Sequence, residues 1–360
     1  MEELDELLKL MVSKKASDLH LRSFATAVLR IDGKLKSVEG RIFSAQQTDK
    51  IAQSIMNPKQ REFFAAKGEC DLSYSLAGVG RFRGNIYRQR GSINIAMRYV
   101  PVEIPSFDSL NLPSVIKKIA DNPRGLVLVT GTAGCGKSTT LAAMIEHINS
   151  TRTNHIITLE DPIEFLHKDK LSIISQRELG LDTTSYNEAL KHIVRQDPDV
   201  ILIGEMRDTD TMAAALTAAQ TGHLVLSTIH TIDAIQTVTR IVDMFPPHHQ
   251  NQIRLQLSDT LKGVISQRLL ANTKGGRVPA CEILVVTALV KKFIEQNTMS
   301  EIMQAMKQGA YYGMQVFNQS LLNLYNSGNI SLEDALAAAT NPEELMMNIR
   351  GITSESGASV

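Results

Sequence analysis

The chain has 360 residues, which at about 150 residues per domain predicts two or three domains. Hydrophobic residues make up 43% and charged residues 21%, which excludes a disordered or low-complexity chain. Lys plus Arg and Asp plus Glu each total 38, so the net charge is zero and non-specific binding to nucleic acid is disfavoured.

Cysteine spacing and the N-terminus bear on where the protein works. Cys70, Cys135 and Cys281 lie far apart and form no CxxC pair, which argues against a disulfide framework or a zinc knuckle and fits a reducing cytoplasm. The first residues are acidic and amphipathic, and no apolar run approaches the roughly 20 residues that span a bilayer. The sequence therefore predicts a protein that is neither exported nor membrane-spanning.

Residues 1–98 are predicted to form a small α+β domain. Leucines and methionine at helical spacing between Leu4 and Met11 predict an opening helix. The predicted strands are Ala27–Ile31, Asp71–Leu76 and Ile93–Tyr99, and the predicted helices are Ser44–Met56 and Pro58–Ala66. Prolines that withhold backbone donors make residues 99–113 the predicted interdomain linker.

Residues 114–350 are predicted to form an α/β domain, because short apolar runs alternate with helical stretches, as in a parallel sheet covered by helices. The predicted strands are Gly125–Thr130, His155–Leu159, Val200–Ile203 and Leu224–Ile229. The part after about residue 245 is predicted to be helical, through Gln250–Leu270, Ala288–Gln296, Met299–Lys307, Phe317–Ser327 and Leu332–Ala339. Residues 351–360 are predicted to be a flexible tail.

The segment Gly131–Ser138 reads GTAGCGKS, a complete GxxxxGK[ST] pattern between a predicted strand and a predicted helix. Its glycines let successive N–H groups point inward around phosphate, Lys137 would reach the β- and γ-phosphates, and Ser138 would ligate Mg²⁺. The alternative is a glycine turn that merely joins strand to helix, and the full spacing favours an ATP site. The predicted nucleotide-binding residues are Thr132, Ala133, Gly134, Cys135, Gly136, Lys137, Ser138 and Thr139.

Two acidic segments follow the predicted strands. Glu160–Glu164 puts three carboxylates on a Pro-containing turn at a strand end, where a carboxylate could orient the attacking water. The alternative is a solvated acidic loop. The next apolar run ends in Gly-Glu, which resembles a Walker B strand and places Glu205 where it can support Mg²⁺ through water.

Histidines and arginines complete the set of candidates. His223 and His230 flank a predicted strand, and a histidine at its end could sense the γ-phosphate, although a single histidine in such a place is more often structural. Arginines are concentrated in the smaller domain at Arg81, Arg83, Arg88, Arg90 and Arg98. They are either a solvated strand face or residues that reach the nucleotide of an adjacent subunit, as arginine fingers do.

Several motifs occur in order along the chain: Ser17–Leu21, Arg81–Asn85, Pro123–Gly131, Glu160–Phe165, Gly204–Asp208 and Ser227–Thr231. Together they resemble the secretion ATPase superfamily, and within it the PilT/PilU retraction ATPases of type IV pili. That resemblance implies a homo-hexamer of subunits with a PAS-like N-terminal domain and a RecA-like ATPase domain. It further implies Mg²⁺-dependent ATP hydrolysis that disassembles pilin filaments and so drives twitching motility.

The resemblance also implies roles and partners. Glu164 would be the base, Glu205 the Walker B residue and His230 part of the family's His box, with Lys137 in the phosphate-binding loop. The candidate cross-subunit arginines are Arg81, Arg83 and Arg98. The expected partner is an inner-membrane pilus platform protein at the cytoplasmic face, with indirect action on the filament. Relatives that assemble pili usually carry an extra N-terminal domain and a four-cysteine metal site, so this sequence favours retraction.

Two departures from the family pattern carry expectations. Cys135, among inward N–H groups and near Lys137, is predicted to have a lowered pKa and to be alkylated quickly unless nucleotide is bound. Glu295 stands where a retraction-linked helix usually carries arginine, which suggests altered coupling or an accessory paralogue. The rival functions are a RecA-like nucleic-acid translocase, disfavoured by charge and 5% aromatic content, and a non-hydrolysing scaffold, disfavoured because both acids are present.

Overall fold

The computed structural model describes residues 2–31, 33–40, 42–100 and 104–352. The chain divides into two compact units: Met1–Glu103 with Glu164–Leu166, and Ile104–Ile163 with His167–Val360. The predicted linker at 99–113 includes residues 101–103, and the predicted tail at 351–360 includes residues 353–360, all of which lie outside the described residues.

The first unit is an α+β structure built on a six-stranded antiparallel sheet of order β3-β2-β1-β6-β5-β4. Its elements are α1 (Glu2–Ser13), β1 (Asp18–Leu21), β2 (Val28–Ile31), β3 (Lys34–Ser37), α2 (Ala45–Ile55), α3 (Pro58–Lys67), β4 (Glu69–Leu76), β5 (Gly80–Gln89) and β6 (Ser92–Val100). The predicted helices and strands of this region are confirmed, with boundary shifts of one or two residues.

Local signals account for the helices of the first unit. Leu4, Leu8 and Met11 recur every three or four residues and are fully buried, so α1 packs one face on the core. The α2 helix begins at a capping box in which Ser44 Oγ accepts from the Gln47 amide over 3.3 Å and Gln47 Oε1 accepts from the Ser44 amide over 2.9 Å.

The second unit is built on a seven-stranded sheet of order β13-β12-β7-β11-β10-β8-β9. Its strands are β7 (Gly125–Thr130), β8 (His155–Glu160), β9 (Ile173–Glu178), β10 (Val200–Ile203), β11 (Leu224–Ile229), β12 (Leu261–Ala271) and β13 (Arg277–Val285). Its helices are α4 (Val115–Ala120), α5 (Lys137–Thr151), α6 (Tyr186–Ile193), α7 (Thr209–Gln220), α8 (Ala234–Asp243), α9 (Pro247–Thr260), α10 (Ala288–Gln296), α11 (Met299–Gln308), α12 (Phe317–Asn326), α13 (Leu332–Ala338) and α14 (Pro342–Ile349), with a 3₁₀ turn at Gly309–Tyr312. Neighbouring strands run parallel except for β13, which pairs antiparallel with β12 at the sheet's edge.

The prediction of one helix over Gln250–Leu270 is wrong in its second half. The helix α9 ends at Thr260 and the chain continues directly into β12, and β13 was not predicted at all. Close packing explains part of this result, since a Cβ added at Gly263 would lie 3.1 Å from both the Leu284 carbonyl oxygen and Ile119 Cδ1. The β12–β13 pairing therefore brings backbone and side chains too close for a larger residue.

The predicted parallel strands are confirmed, and their burial explains their apolar sequences. Leu126 and Leu128 of β7 belong to the hydrophobic cluster on one face of the sheet, and Val127 and Val129 belong to the cluster on the other. Because β7, β8, β10 and β11 run parallel, the loops that follow them leave the sheet at the same edge, where open α/β sheets place their ligands. Over the described ranges, no helix is long and apolar enough to cross a membrane.

Candidate nucleotide-binding site

The loop between β7 and α5 has the backbone of an anion cradle. Gly131, Gly134 and Gly136 adopt φ of 140°, 77° and 95°, which L side chains rarely allow. A Cβ at Gly131 would lie 2.5 Å from Cys135 Sγ and 2.6 Å from the Gln267 carbonyl oxygen. The loop leads into the 15-residue helix α5, whose first N–H groups have no intrahelical partner, so its start favours an anion.

Lys137 is buried at the start of α5 and faces the loop it follows. Its Nζ donates to the Gly131 carbonyl over 2.8 Å and to the Thr132 carbonyl over 3.0 Å. The same ammonium lies 3.5 Å from His230 Nδ1, just beyond the end of the neighbouring strand β11. The ammonium is therefore held between the loop's carbonyls and the imidazole.

His230 connects this lysine to Glu205. His230 Nε2 lies 3.2 Å from Glu205 Oε1, while Nδ1 faces the Lys137 ammonium. An ammonium has only donors, so the neutral ring consistent with both contacts accepts at Nδ1 and donates from Nε2–H to the carboxylate. The imidazole thus forms a direct polar bridge between a cation and an anion.

Glu205 is the acidic centre of the site. Arg207 Nη2 lies 2.7 Å from Glu205 Oε2, so each carboxylate oxygen has one named partner. Burial acts to raise the pKa of Glu205, but the hydrogen bonds from Arg207 and His230, together with the charge of Arg207, outweigh it and hold the pKa below its ordinary value. The carboxylate is therefore ionised at neutral pH.

Backbone bonds fix the loop ends against one another. The Gly204 amide donates to the Leu159 carbonyl over 2.7 Å, and the Met206 amide donates to the Thr228 carbonyl over 3.1 Å. Thr228 Oγ1 also donates to the Gly204 carbonyl over 2.7 Å. The carboxyl ends of β8, β10 and β11 are thereby joined immediately beside Glu205.

The remaining predicted loop residues occupy the cradle and the first turn of α5. Thr132, Ala133 and Gly134 are exposed, while Ser138 and Thr139 are half-buried. Cys135 is buried, with 4% of its surface exposed. Burial raises the pKa of this thiol, and the opposing charge of Lys137 does not overcome it. The prediction of a lowered Cys135 pKa is therefore wrong, because desolvation exceeds the effect of the nearby ammonium.

The other predicted catalytic residues lie in the first unit. Glu164 belongs to the short segment grouped with that unit, and its Oε1 lies 3.7 Å from Arg83 Nη2. Arg98 Nε donates to Asp18 Oδ1 over 2.8 Å, and Arg81 lies on β5 opposite Ser75 and Val100.

Two residues near the site were not predicted. The Tyr186 hydroxyl oxygen lies 3.2 Å from the position a Cβ on Gly204 would take, and burial, reinforced by Asp161 and Glu205, raises the pKa of this phenol. Gln267 on β12 donates from Nε2 to Thr140 Oγ1 over 2.9 Å, one turn into α5. Ser185 is a helix-capping residue, so the sequence held a signal that Tyr186 begins a helix. Gln267 falls within the segment that the sequence predicts to be helical, so no signal pointed to its position on a strand.

Comparison with known proteins places this geometry in a family. Residues 96–313 match the model of the family described as type II/IV secretion system protein. The type IV pilus retraction ATPase PilT of Pseudomonas aeruginosa is 41% identical over 341 residues, covering 95% of this chain and 99% of the relative. The type IV pilus ATPase PilU of the same organism is also 41% identical, over 99% of this chain and 93% of the relative. A crystal structure of the pilus retraction motor PilT with bound ADP is 45% identical, with a TM-score of 0.89 over 95% of this chain and 98% of that one.

Proposed function

Because the chain belongs to the type II/IV secretion system protein family, and within it to the pilus retraction ATPases, we propose that it is a hexameric ATPase that powers type IV pilus retraction. The single observation that carries the proposal is the bridge from Lys137 through His230 to Glu205 at the end of β7, β10 and β11. This bridge joins a phosphate-binding cation, a histidine and a carboxylate at one edge of the sheet.

In this proposal, the loop residues Thr132–Thr139 bind the phosphates of ATP, with Lys137 at the β- and γ-phosphates. Mg²⁺ would supply positive charge on the triphosphate. The donor set fits this ion, because Ser138 offers a hydroxyl oxygen and Glu205 an ionised carboxylate. Both Glu205 oxygens already have partners at 3.2 and 2.7 Å, which favours an indirect contact through water.

We assign the remaining roles from the family resemblance together with position. Glu164 is the proposed base, which would orient the attacking water, and His230 is the proposed sensor of the γ-phosphate. The proposed cross-subunit residues are Arg81, Arg83 and Arg98. Their guanidinium groups would neutralise the charge that develops on the transferred phosphoryl group.

The two units have proposed identities and partners as well. The first is proposed to be PAS-like and the second RecA-like, joined by the linker at 99–113. ATP-driven movement of these units would act on an inner-membrane pilus platform protein, and through it on the pilin filament. The proposed location is the cytoplasmic face of the membrane at the pilus base, and nucleic acid is not an expected partner.

Phosphate release from purified protein tests the enzymatic part. Lys137→Ala is expected to lower hydrolysis by about 100-fold or more, because the ammonium held against the loop is removed from a preorganised anion site. Lys118→Ala, an exposed lysine on α4, is the matched control and should hydrolyse like the wild type. Equal hydrolysis by the Lys137→Ala variant would contradict the assigned site.

Labelled pili in living cells test the motor. The gene is deleted and restored as wild type or as Glu164→Ala. Pili are expected to shorten with the wild type and to remain extended with the variant. Unimpeded shortening with Glu164→Ala would contradict the proposed function.

An accessory paralogue is the second candidate, favoured by equal identity to PilT and PilU and by Glu295. In the structure, Glu295 of α10 accepts a hydrogen bond from Ser258 Oγ of α9 over 3.1 Å. A carboxylate therefore joins α10 to α9 at the position where the retraction-linked helix usually carries arginine. Expressing the chain in cells without any other retraction ATPase distinguishes the two. Pili that shorten only after a second ATPase is restored would support the accessory role.

A further inference from the structure

We propose that Glu282 is a positioning residue that holds the His230 loop of the nucleotide site and connects it to the helices at the end of the second unit. Glu282 lies on β13, outside the candidate site, with 3% of its surface exposed. Its Oε1 accepts from the Ala234 amide over 2.9 Å. The inference rests on the role proposed above for His230.

The position of the Ala234 amide bears directly on the segment that carries His230. Ala234 is the first residue of α8 and lies four residues after His230, with only a short connection between them. Asp233 caps the helix by accepting from the Gln236 amide over 2.7 Å. With one end fixed by β11 and the other by Glu282, the segment that carries the imidazole has little freedom to move.

The same carboxylate reaches a second helix. The Phe317 amide, at the first residue of α12, also acts on this carboxylate and favours its anionic form. Arg268 of β12 stacks over the Phe317 ring at 3.8 Å and donates to the Ala338 carbonyl at the end of α13. Glu282 thus bonds to the start of α8 and is influenced by the start of α12, and two helix N-termini are favourable neighbours for a carboxylate.

The charged groups that face Glu282 come from the elements packed around β13. Asp233 at the start of α8 and Arg268 on β12 act in opposite directions, and the Ala234 and Phe317 amides favour the anion. Burial is the largest effect and raises the pKa of Glu282 to about 7. Both protonation states are therefore populated near neutral pH.

These states differ in how firmly they hold the loop. The carboxylate accepts from the Ala234 amide, and this hydrogen bond is charge-assisted. The neutral acid keeps one carbonyl oxygen that can accept from the Ala234 amide, but that hydrogen bond is no longer charge-assisted and is weaker. Raising the pH through 7 should therefore fix the start of α8, and with it the position of His230.

Steady-state ATP hydrolysis of the wild type and Glu282→Gln between pH 6 and pH 8 tests the proposal. The amide side chain has one acceptor oxygen and no charge at any of these pH values. We expect the ratio of wild-type to variant kcat to be about tenfold at pH 8 and to approach one at pH 6, the loss expected for one weakened charged hydrogen bond. KM for ATP should stay within about twofold, because the described hydrogen-bond partner of Glu282 lies at the start of α8 and not in the phosphate-binding loop.

Asn318→Ala is the matched structural control. Asn318 is also buried in the first turn of α12, but it bonds to Thr340, Asn341 and Glu344 instead of α8. This variant should lower thermal stability while its kcat ratio to wild type stays constant with pH. A pH-independent ratio for Glu282→Gln, or a pH-dependent one for Asn318→Ala, would overturn the proposal. Failure of the His230 assignment is distinguishable, since hydrolysis would then survive His230→Ala as well.

Discussion

The nucleotide edge, formed by Gly131–Ser138, Gly204–Arg207 and His230, and the β12–β13 hairpin hold their polar groups differently. At the edge, charged side chains pair with one another and, apart from the buried Lys137, are partly solvated: 45% of the His230 side chain and 73% of the Arg207 side chain are exposed. In the hairpin, Gln267 and Glu282 are 2% and 3% exposed and bond to a hydroxyl or to backbone amides.

Because of this difference, substitutions in the two regions should affect activity and stability differently. A solvated charge at the edge can be altered without leaving a buried group unsatisfied, so its loss should reduce activity more than stability. A polar group in the hairpin cannot be removed without leaving a desolvated partner, so its loss should affect stability and, through the neighbouring loops, activity. Four substitutions test this comparison, taken in order of expected effect.

The largest effect is expected for Glu205→Gln. The amide cannot replace the charge that faces His230 and Arg207, so hydrolysis should fall by about 100-fold or more. The melting temperature should change little, since the group is partly solvated. Glu188→Gln on α6, whose exposed carboxylate pairs with Lys191, is the control and should hydrolyse like the wild type. A large drop in melting temperature for Glu205→Gln alone would break the comparison at the edge.

The pH dependence of stability tests the hairpin through Glu282. Its pKa is raised from 4.5 to about 7 by burial, so the folded protein retains a proton that the unfolded chain releases. The resulting stabilisation is complete below pH 4.5 and is lost as the pH rises through 7. Relative to Glu282→Gln, the wild type should lose on the order of 3 kcal/mol of unfolding free energy between pH 4.5 and 8.

Melting temperatures of both proteins across this range provide the measurement. Between pH 6 and 8, where Glu282 is expected to titrate, Asn318→Ala should differ from the wild type by a constant amount, because its buried amide does not titrate. A difference between wild type and Glu282→Gln that stays flat with pH would mean that Glu282 is ionised throughout, as an exposed carboxylate is.

A smaller effect is expected for Gln267→Ala. The substitution leaves the Thr140 hydroxyl without its amide partner and opens space in the core, which should cost about 2 kcal/mol of stability. KM for ATP should rise severalfold, because the lost side-chain bond is to Thr140, one turn into the helix that begins at the cradle. Thermal unfolding and KM are the measurements, with Gln296→Ala on the exposed face of α10 as control. Lost stability with an unchanged KM would show that the hairpin does not position the cradle.

The same two regions differ in how far they could be predicted. The cradle depends on consecutive residues, with glycines where φ is positive and a helix directly after them, so its sequence pattern sufficed. The meeting of Lys137, Glu205 and His230 followed from the rule that parallel strands end at one edge. Those predictions needed no knowledge of side-chain packing.

The hairpin could not be predicted in this way. Residues 261–271 are a strand because they pair with β7 and β13, and the Thr130–Ser266 hydrogen bond joins positions 136 residues apart. Gly263, Val264 and Ile265 were the local indications against a helix. The prediction of a lowered Cys135 pKa was wrong for a related reason. Its charged neighbour Lys137 is evident in the sequence, whereas the burial that dominates the pKa of the thiol is not.

The smallest effect is expected for Glu295→Arg, which introduces the residue that the resemblance led us to expect in α10. Ser258 Oγ loses its bond to Glu295 but still donates to the Leu255 carbonyl over 2.8 Å, so no buried hydroxyl is left unsatisfied. The neighbouring Lys291 also keeps its ion pair with Asp259. Stability should therefore change by less than about 1 kcal/mol, and phosphate release should match the wild type. A tenfold loss of hydrolysis would mean that the α9–α10 contact acts on the nucleotide edge. The positions of the residues at that edge would then depend on a solvated surface as well as on the buried hairpin.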